Sequence, residues 1–529
     1  VLKRQAVEGS TELRGRVVET KGPGPTKSKG VFIVKVNFVR LAFGALMLAC
    51  TLGAFVFPPR AQAQTVTTLF NFYCAIAKGN CADGAEPTAS LMQATNGYLY
   101  GIAQAGGDYP SVFFNGPFGG TIFNLTANGS FSQVYSFCAA DAECPHGYGP
   151  IGSLVQATNG ALYGFTFAYG GTVYRITPSG TLTSLHTFGG GSDGLTPVGA
   201  MVQAVDGYLY GTTKYGGGSA FGGTIFKLTP SGTLSILYTF CAHTGCTDGM
   251  WPLAGLVQAT DAALYGTTSA GGAYNSGTVF KITTSGKLTT LYSFCAQSGC
   301  PDGKAPAGGL IQAANGDLYG TTSAGGAFDN AGTVFKITTS GTLTTLYSFC
   351  AKTGCTDGFT PFATLAQATD GNLYGTTTEG GAFLTGGTMF QITPGGTLTT
   401  LYSFCAENGC PDGEKALPGL VQSTDGDLYG ATLGGGLYRA GTLFRLSMGL
   451  KPFVATLPTV GVAGGFITVF GSDLRGTTGV TFNGAAATFT QASATAVKAI
   501  VPAGATTGTV VVTTPGGSLS SNVAFRVVQ

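Results

Sequence analysis

The chain has 529 residues, of which 87 are glycine, with 11% aromatic and only 9% charged side chains; this is a turn-rich, β-rich composition, too long for one ordinary core. The formal net charge of +2 conceals an asymmetry, because the basic residues concentrate before Gln64 and the remainder is mildly acidic with its cations scattered. Such a chain lacks the phosphate-neutralising stripe that DNA or RNA binding requires, which excludes nucleic acid as a partner.

Residues 1–34 are expected to be a non-core extension: Val1 to Gly30 is polar and basic with no core-forming pattern, and a start at Val31 or Val36 would give a more ordinary leader. Residues 35–63 read as a signal peptide. Lys35-Val-Asn-Phe-Val-Arg40 leads into the apolar run Leu41 to Phe57, and Ala61-Gln62-Ala63 is a small-x-small cleavage site before Gln64. A membrane anchor is the competing reading of the apolar run. Cys50 after Leu48-Ala49 faintly resembles a lipoprotein site, but the apolar run continues past it. The expectation is export to the periplasm, the cell surface or the medium, with no membrane span in the mature chain.

From Thr65 onward the chain repeats. Leu-Tyr-Gly recurs with its tyrosine at Tyr100, Tyr163, Tyr210, Tyr265, Tyr319, Tyr374 and Tyr429. The sixth copy displays the unit: Leu365-Ala-Gln-Ala368, Asn372-Leu-Tyr-Gly-Thr-Thr377, Gly387-Thr-Met-Phe-Gln-Ile392 and Thr397-Leu-Thr-Thr-Leu-Tyr-Ser-Phe404. Alternation and β-branched content mark four strands. Thr369-Asp370-Gly371 and Pro394-Gly395-Gly396 between them are tight-turn sequences. The fourth segment follows only the first six copies, and its seventh occurrence is Thr65-Val-Thr-Thr-Leu-Phe-Asn-Phe72 at the start of the repeat region. That offset predicts an N-terminal strand completing the last sheet, so residues 64–447 are expected to close into a seven-bladed β-propeller without free edges.

Twelve cysteines beyond Cys50 fall in close pairs: Cys74 and Cys81, Cys138 and Cys144, Cys241 and Cys246, Cys295 and Cys300, Cys350 and Cys355, Cys405 and Cys410. Each pair lies between a fourth strand and the next first strand, and the corresponding segment Phe188-Gly-Gly-Gly-Ser-Asp-Gly194 lacks both members. Loss in pairs predicts disulfides, each worth about 2 kcal/mol in so short a loop. Zinc is the alternative, but two thiolates per loop without histidine do not fill a tetrahedral site, so no metal or cofactor is expected.

The segment from Asp302 to Phe349 carries the repeat almost without deviation, and from Thr65 to Leu446 these repeats closely resemble the GloVer tandem repeats of bacterial exported proteins. The resemblance implies export and a repeat fold and carries no agreed activity. After Ser447 to Leu450 the pattern changes. Gly464-Gly-Phe-Ile-Thr-Val-Phe-Gly-Ser-Asp-Leu474, Val480-Thr-Phe-Asn-Gly484, Ile500-Val-Pro-Ala-Gly504 and Gly508-Thr-Val-Val-Val-Thr513 make residues 451–529 similar to an IPT/TIG domain. That implies an immunoglobulin-like sandwich serving as a stalk or interaction module. The fold class expected is therefore all-β throughout.

No catalytic residues are expected. Histidine is limited to His146, His186 and His243, with no HExxH and no Walker loop. Gly190-Gly-Ser-Asp-Gly194 matches G-x-S-x-G by letters, but that motif acts on a strand-to-helix turn, which an all-β chain lacks. Asp83, Asp193, Asp248, Asp302, Asp357 and Asp412 each precede glycine; a Ca²⁺ ring and an Asx-type turn both fit, and the turn explains the repetition better. Gln93, Gln156, Gln203, Gln258, Gln312, Gln367 and Gln422 recur in every first strand, which points to hydrogen bonding between sheets.

Function is sought where the copies differ. The first copy carries an insertion with Tyr109, Phe113, Phe114 and Phe118, later copies keep Tyr274, Phe328, Phe383 and Tyr438, and the single tryptophan is Trp251. All belong to the face that carries the cysteine loops, where aromatics can stack on sugars or grip a peptide, or simply pack the loops. The expected role is a non-catalytic exported binding or adhesion protein contacting an extracellular glycan or surface protein. The alternatives are a purely structural surface or matrix protein and a polysaccharide-acting enzyme.

Overall fold

The computed structural model describes residues 64–74, 81–108, 119–138, 144–218 and 220–528. The extension, the signal peptide and Tyr109, Phe113, Phe114 and Phe118 lie outside the described residues.

The repeat region forms seven antiparallel sheets of four or five strands, with a short two-stranded pair, Cys81–Ala85 and Ala105–Gly107, beside the first. The sixth is typical, with Ala366–Gln367, Leu373–Thr377, Thr388–Ile392 and Leu398–Ser403 in that order. The seventh takes Val421–Gln422, Leu428–Thr432 and Thr442–Ser447, and its fourth strand is Thr65–Asn71 from the other end of the region. The offset seen in the sequence is thus a real pairing. The first strands are shorter than expected, two residues in five of the sheets. The chain ahead of them is irregular: it keeps isolated bridges to its own second strand, as in Met250 with Ala270 and Phe359 with Glu379, while the next residues, Trp251 and Thr360, turn their N–H groups to the preceding sheet.

Second strands are buried on both faces, and their tyrosines are 0–1% exposed. Each tyrosine is tied to an Asn or Asp in the preceding hairpin: Tyr210, Tyr265, Tyr374 and Tyr429 donate to Asp206, Asp261, Asp370 and Asp425, and Asn96, Asn159 and Asn315 donate to Tyr100, Tyr163 and Tyr319. The glycine of Leu-Tyr-Gly is required for space. A Cβ at Gly375 or Gly430 would stand 2.5 Å from the ring of Phe390 or Phe444 on the third strand.

Three sets of contacts run between neighbouring sheets, and all three also link the seventh sheet to the first. In the lower set, a hairpin N–H donates to the Gln side chain of the following sheet, as in Thr95 to Gln156, Thr260 to Gln312 and Thr369 to Gln422. Thr424 of the seventh sheet donates to Gln93 of the first at 2.9 Å. In the core, the last phenylalanine of each repeat meets an aromatic of the next sheet: Phe137 with Tyr174, Phe294 with Phe335, Phe404 with Phe444, and finally Phe72 with Phe123 at 5.4 Å. In the upper set, backbone bonds such as Trp251 N–H to Gly222 O and Thr360 N–H to Ala331 O also close, through Glu86 N–H to Ala440 O at 3.0 Å.

The aspartates before glycine are local turn holders. Asp248, Asp302, Asp357 and Asp412 each accept from a tyrosine of the preceding strand, Tyr238, Tyr292, Tyr347 and Tyr402, and from a backbone N–H of their own loop. Burial, then the bond to a carboxylate, holds the Tyr265, Tyr292 and Tyr402 hydroxyls up to about 12. A raised pKa favours the protonated form in the folded state, so this contribution is intact below about pH 10, the ordinary tyrosine value, and is lost as pH rises through about 12. Absorbance titration at 295 nm should show these phenols ionising only above pH 11, together with loss of β-sheet circular dichroism. Ionisation of every tyrosine near pH 10 with structure intact would contradict the buried network.

The C-terminal region is two four-stranded sheets. Val454–Leu457, Phe466–Gly471, Ala496–Ile500 and Phe489–Gln491 form one; Ala485–Ala486, Gly479–Phe482, Val510–Thr514 and Gly517–Ser520 form the other. Alternating residues such as Val469, Val497, Phe482 and Val512 make a core separate from the repeats. This region meets the first hairpins: Phe453 N–H bonds Thr424 O, Ser472 pairs with Thr424, Thr495 donates to Thr95 O, and Arg526 donates to Ala259 O.

Candidate binding site

All seven sheets contribute to one cavity of about 490 Å³, within the ~300–1,000 Å³ of small-molecule sites. Its wall is built from the beginning of each first strand or the residues just ahead of it. Thr88, Ile151, Val198, Leu253, Ala307, Phe362 and Leu417 are corresponding positions and make a largely apolar collar. The next residues are small, as in Gly152, Gly199, Ala254, Gly308 and Ala363, and the backbones of neighbouring sheets approach one another closely there, forming a throat. Gln104 and Lys214, at the far ends of second strands, place the mouth on the side of the cysteine loops. The opposite side belongs to the first hairpins and the C-terminal region, where Phe453, Ala455, Phe470 and Asn522 line a separate cavity with Gln93, Leu154 and Gln422.

Around the mouth, the residue two before each collar position has a left-handed backbone: Glu86, Gly149, Thr196, Trp251, Ala305, Thr360 and Lys415 have φ between 51° and 63°. Only one of the seven is glycine, although side chains are disfavoured there by about 1–2 kcal/mol. The upper contact set holds this backbone, and these positions carry six different residue types among the seven copies. The arc of the second to fourth sheets is the most aromatic: Tyr148 packs edge-on against Phe167 and Tyr169, and Tyr215 against Trp251.

The funnel is electrostatically one-sided. Lys214 is its only charged lining residue, and no Asp, Glu, His or Cys is among the lining residues described. Its ammonium lies 4.7 Å from the ring centroid of Tyr215, a cation–π contact. Among the described residues no carboxylate pairs with it. Thr88 Oγ1 is buried in the wall without a hydrogen-bond partner among the described residues.

Comparison with known families decides the relationship: the Gloeobacter/Verrucomicrobia repeat matches residues 119–312 and 297–456. The chain belongs to the Gloeobacter/Verrucomicrobia repeat family. In this member of the repeat family the C-terminal residues 453–527 match the IPT/TIG domain. No curated protein matches the chain. Among solved structures, a fungal alcohol oxidase of the AA5 family in complex with copper aligns at TM-score 0.49 and 13% identity, over 89% of this chain and all of that one. PorZ, a surface component of the type-IX secretion system of Porphyromonas gingivalis, aligns at TM-score 0.44 and 13% identity, over 82% of this chain and 58% of its own. Likeness at this level transfers neither activity nor ligand.

The repeat family's cysteine pairs are disulfides in all six loops, from Cys74–Cys81 to Cys405–Cys410. Of the aromatics singled out in the sequence, Trp251 stands beside the funnel mouth, at 37% exposure, next to the collar residue Leu253. Tyr274, Phe328, Phe383 and Tyr438 are exposed but occupy successive sheets, and among the described residues none of them stacks on another. Tyr438 instead meets Tyr73 at 4.8 Å. Phe362 and Lys214 were not singled out; Lys214 is the one cation at a position that holds Ser or Thr in the following three copies, as Ser269, Ser323 and Thr378.

Proposed function

We propose that the seven sheets form a closed seven-bladed β-propeller and that the chain is an exported, non-catalytic binding protein that contacts a glycan or surface protein at the funnel mouth. Ring closure is supported by the contacts that return from the seventh sheet to the first and by a cavity to which every sheet contributes. The funnel is the observation that carries the binding reading: it is open on the loop face, apolar at its collar, and lined without a carboxylate, imidazole or thiol among the described residues. Hydrolysis of a polysaccharide needs two carboxylates about 5–10 Å apart across the bond, which this lining does not supply.

Export is supported by the six disulfides, which suit an oxidising compartment, and by the leader pattern ahead of Gln64. The C-terminal IPT/TIG region packs on the opposite side and so leaves the mouth free to meet a partner while it serves as spacer or dock.

A glycan-array screen of the purified protein, beside a variant with Trp251→Ala and Phe362→Ala, tests this reading. Saturable binding is expected from the native protein, with affinity at least about tenfold weaker in a variant that keeps its circular dichroism. Binding unchanged in the variant would move the site away from the funnel. No binding by the native protein would favour a protein partner or a purely structural surface role.

A further inference from the structure

We propose, resting on the reading of the funnel as a glycan site, that its ligand is an acidic saccharide bound by a terminal uronate-type sugar whose carboxylate pairs with Lys214. Four observations lead there. Lys214 projects a cation into a wall that holds no acidic side chain among the described lining residues. Its observed partner is the face of Tyr215, and no carboxylate among the described residues uses its hydrogen-bonding capacity. Tyr215 in turn packs edge-on against Trp251 at 6.1 Å, which puts two aromatic side chains beside the cation at the rim, the pairing suited to a pyranose with an anionic substituent. Ser90, Ser153, Thr196 and Thr364 in the lining supply hydroxyl groups for a hydroxyl-rich ligand.

Binding by an end follows from the throat. Below the collar the backbones of Gly152, Gly199 and Gly255 in neighbouring sheets meet with no room for a side chain, and the hairpin side is occupied by Phe453, Phe470 and Asn522. An internal segment of a polymer would have to thread that throat, whereas a chain terminus enters from the loop face. Glu86 and Lys415 stand outside the lining, so Lys214 decides the sign of the charge accepted.

Trp251 is the only tryptophan in the sequence, so its fluorescence reports on the site. Titrations would compare uronate-terminated trisaccharides with the same compounds after carboxyl reduction, using the native protein, Lys214→Met and, as a control cation outside the lining, Lys304→Met. The native protein and Lys304→Met should bind the acidic form about tenfold or more tightly than the reduced form, and Lys214→Met should bind both alike. Equal binding of the two forms by the native protein, unchanged in Lys214→Met, would overturn the acidic specificity and leave glycan binding standing. Response to neither form but to peptides with a free C-terminal carboxylate would overturn the saccharide class, and no response to any probe would overturn both readings.

Discussion

Replacing Phe72 by alanine is expected to lower the unfolding free energy by about 3–5 kcal/mol. Its side chain is fully buried and meets the rings of Phe70, Phe123 and Phe131 at 5.2, 5.4 and 5.8 Å. Its N–H bonds Gly441 O at 3.1 Å, on the third strand of the seventh sheet. Phe404 holds the corresponding place in the sixth sheet, is equally buried, and meets Phe444 at 5.2 Å. Phe404→Ala should therefore lose a similar amount by the same mechanism. Removal of residues 64–72 should do something no loss of a side chain does: it strips Thr442–Ser447 of its outer partner and leaves a row of unpaired N–H and C=O groups at a sheet edge. Urea denaturation would measure the first effect, and light scattering after size-exclusion chromatography should show the truncated protein associating. A truncated protein that stays monomeric and as stable as the native one would mean that the first strand closes nothing.

The pairing of the N-terminal strand with the last sheet was legible because its evidence is local and repeated. Thr65 to Phe72 has the letters of a fourth strand, and a count of segments places it. The glutamine belt was legible for the same reason, since one position recurs in every copy. The funnel was not, because its throat consists of Gly, Ala and Ser, which in a sequence with 87 glycines look like turn residues. The left-handed positions were equally hidden: Glu86, Trp251 and Lys415 are not residues that sequence assigns to positive φ. Tyr274, Phe328, Phe383 and Tyr438 are exposed, but equivalent positions of a repeat are carried to different sheets. Tyr274, Phe328 and Phe383 therefore decorate the face separately. What marks a site in such a protein is a departure from the repeat, as at Lys214 and Trp251, on loops that converge.

The throat itself gives the second large effect, through glycines that differ only in what surrounds them. Gly152, at φ +70°, has no room for a side chain: a Cβ would stand 1.8 Å from the carbonyl oxygen of Gly199 in the next sheet. Gly199, at φ +69°, is as tightly placed, with Gly255 N 2.1 Å from its would-be Cβ. These neighbours are backbone atoms, so no rotamer change relieves the contact, and the second, third and fourth sheets would have to move apart. Gly160 has a similar backbone, φ +81°, with nothing within 4 Å of the same point. Gly160→Ala isolates the backbone penalty, about 1–2 kcal/mol. Gly152→Ala adds overpacking and is expected to lose about 3–5 kcal/mol in all. Denaturant unfolding of the two variants measures the difference directly. Equal losses would mean that the sheets yield at the axis, and the funnel would then lack the rigid throat that restricts it to the end of a chain; a clear excess at Gly152 ties the shape of the site to the packing that closes the repeats.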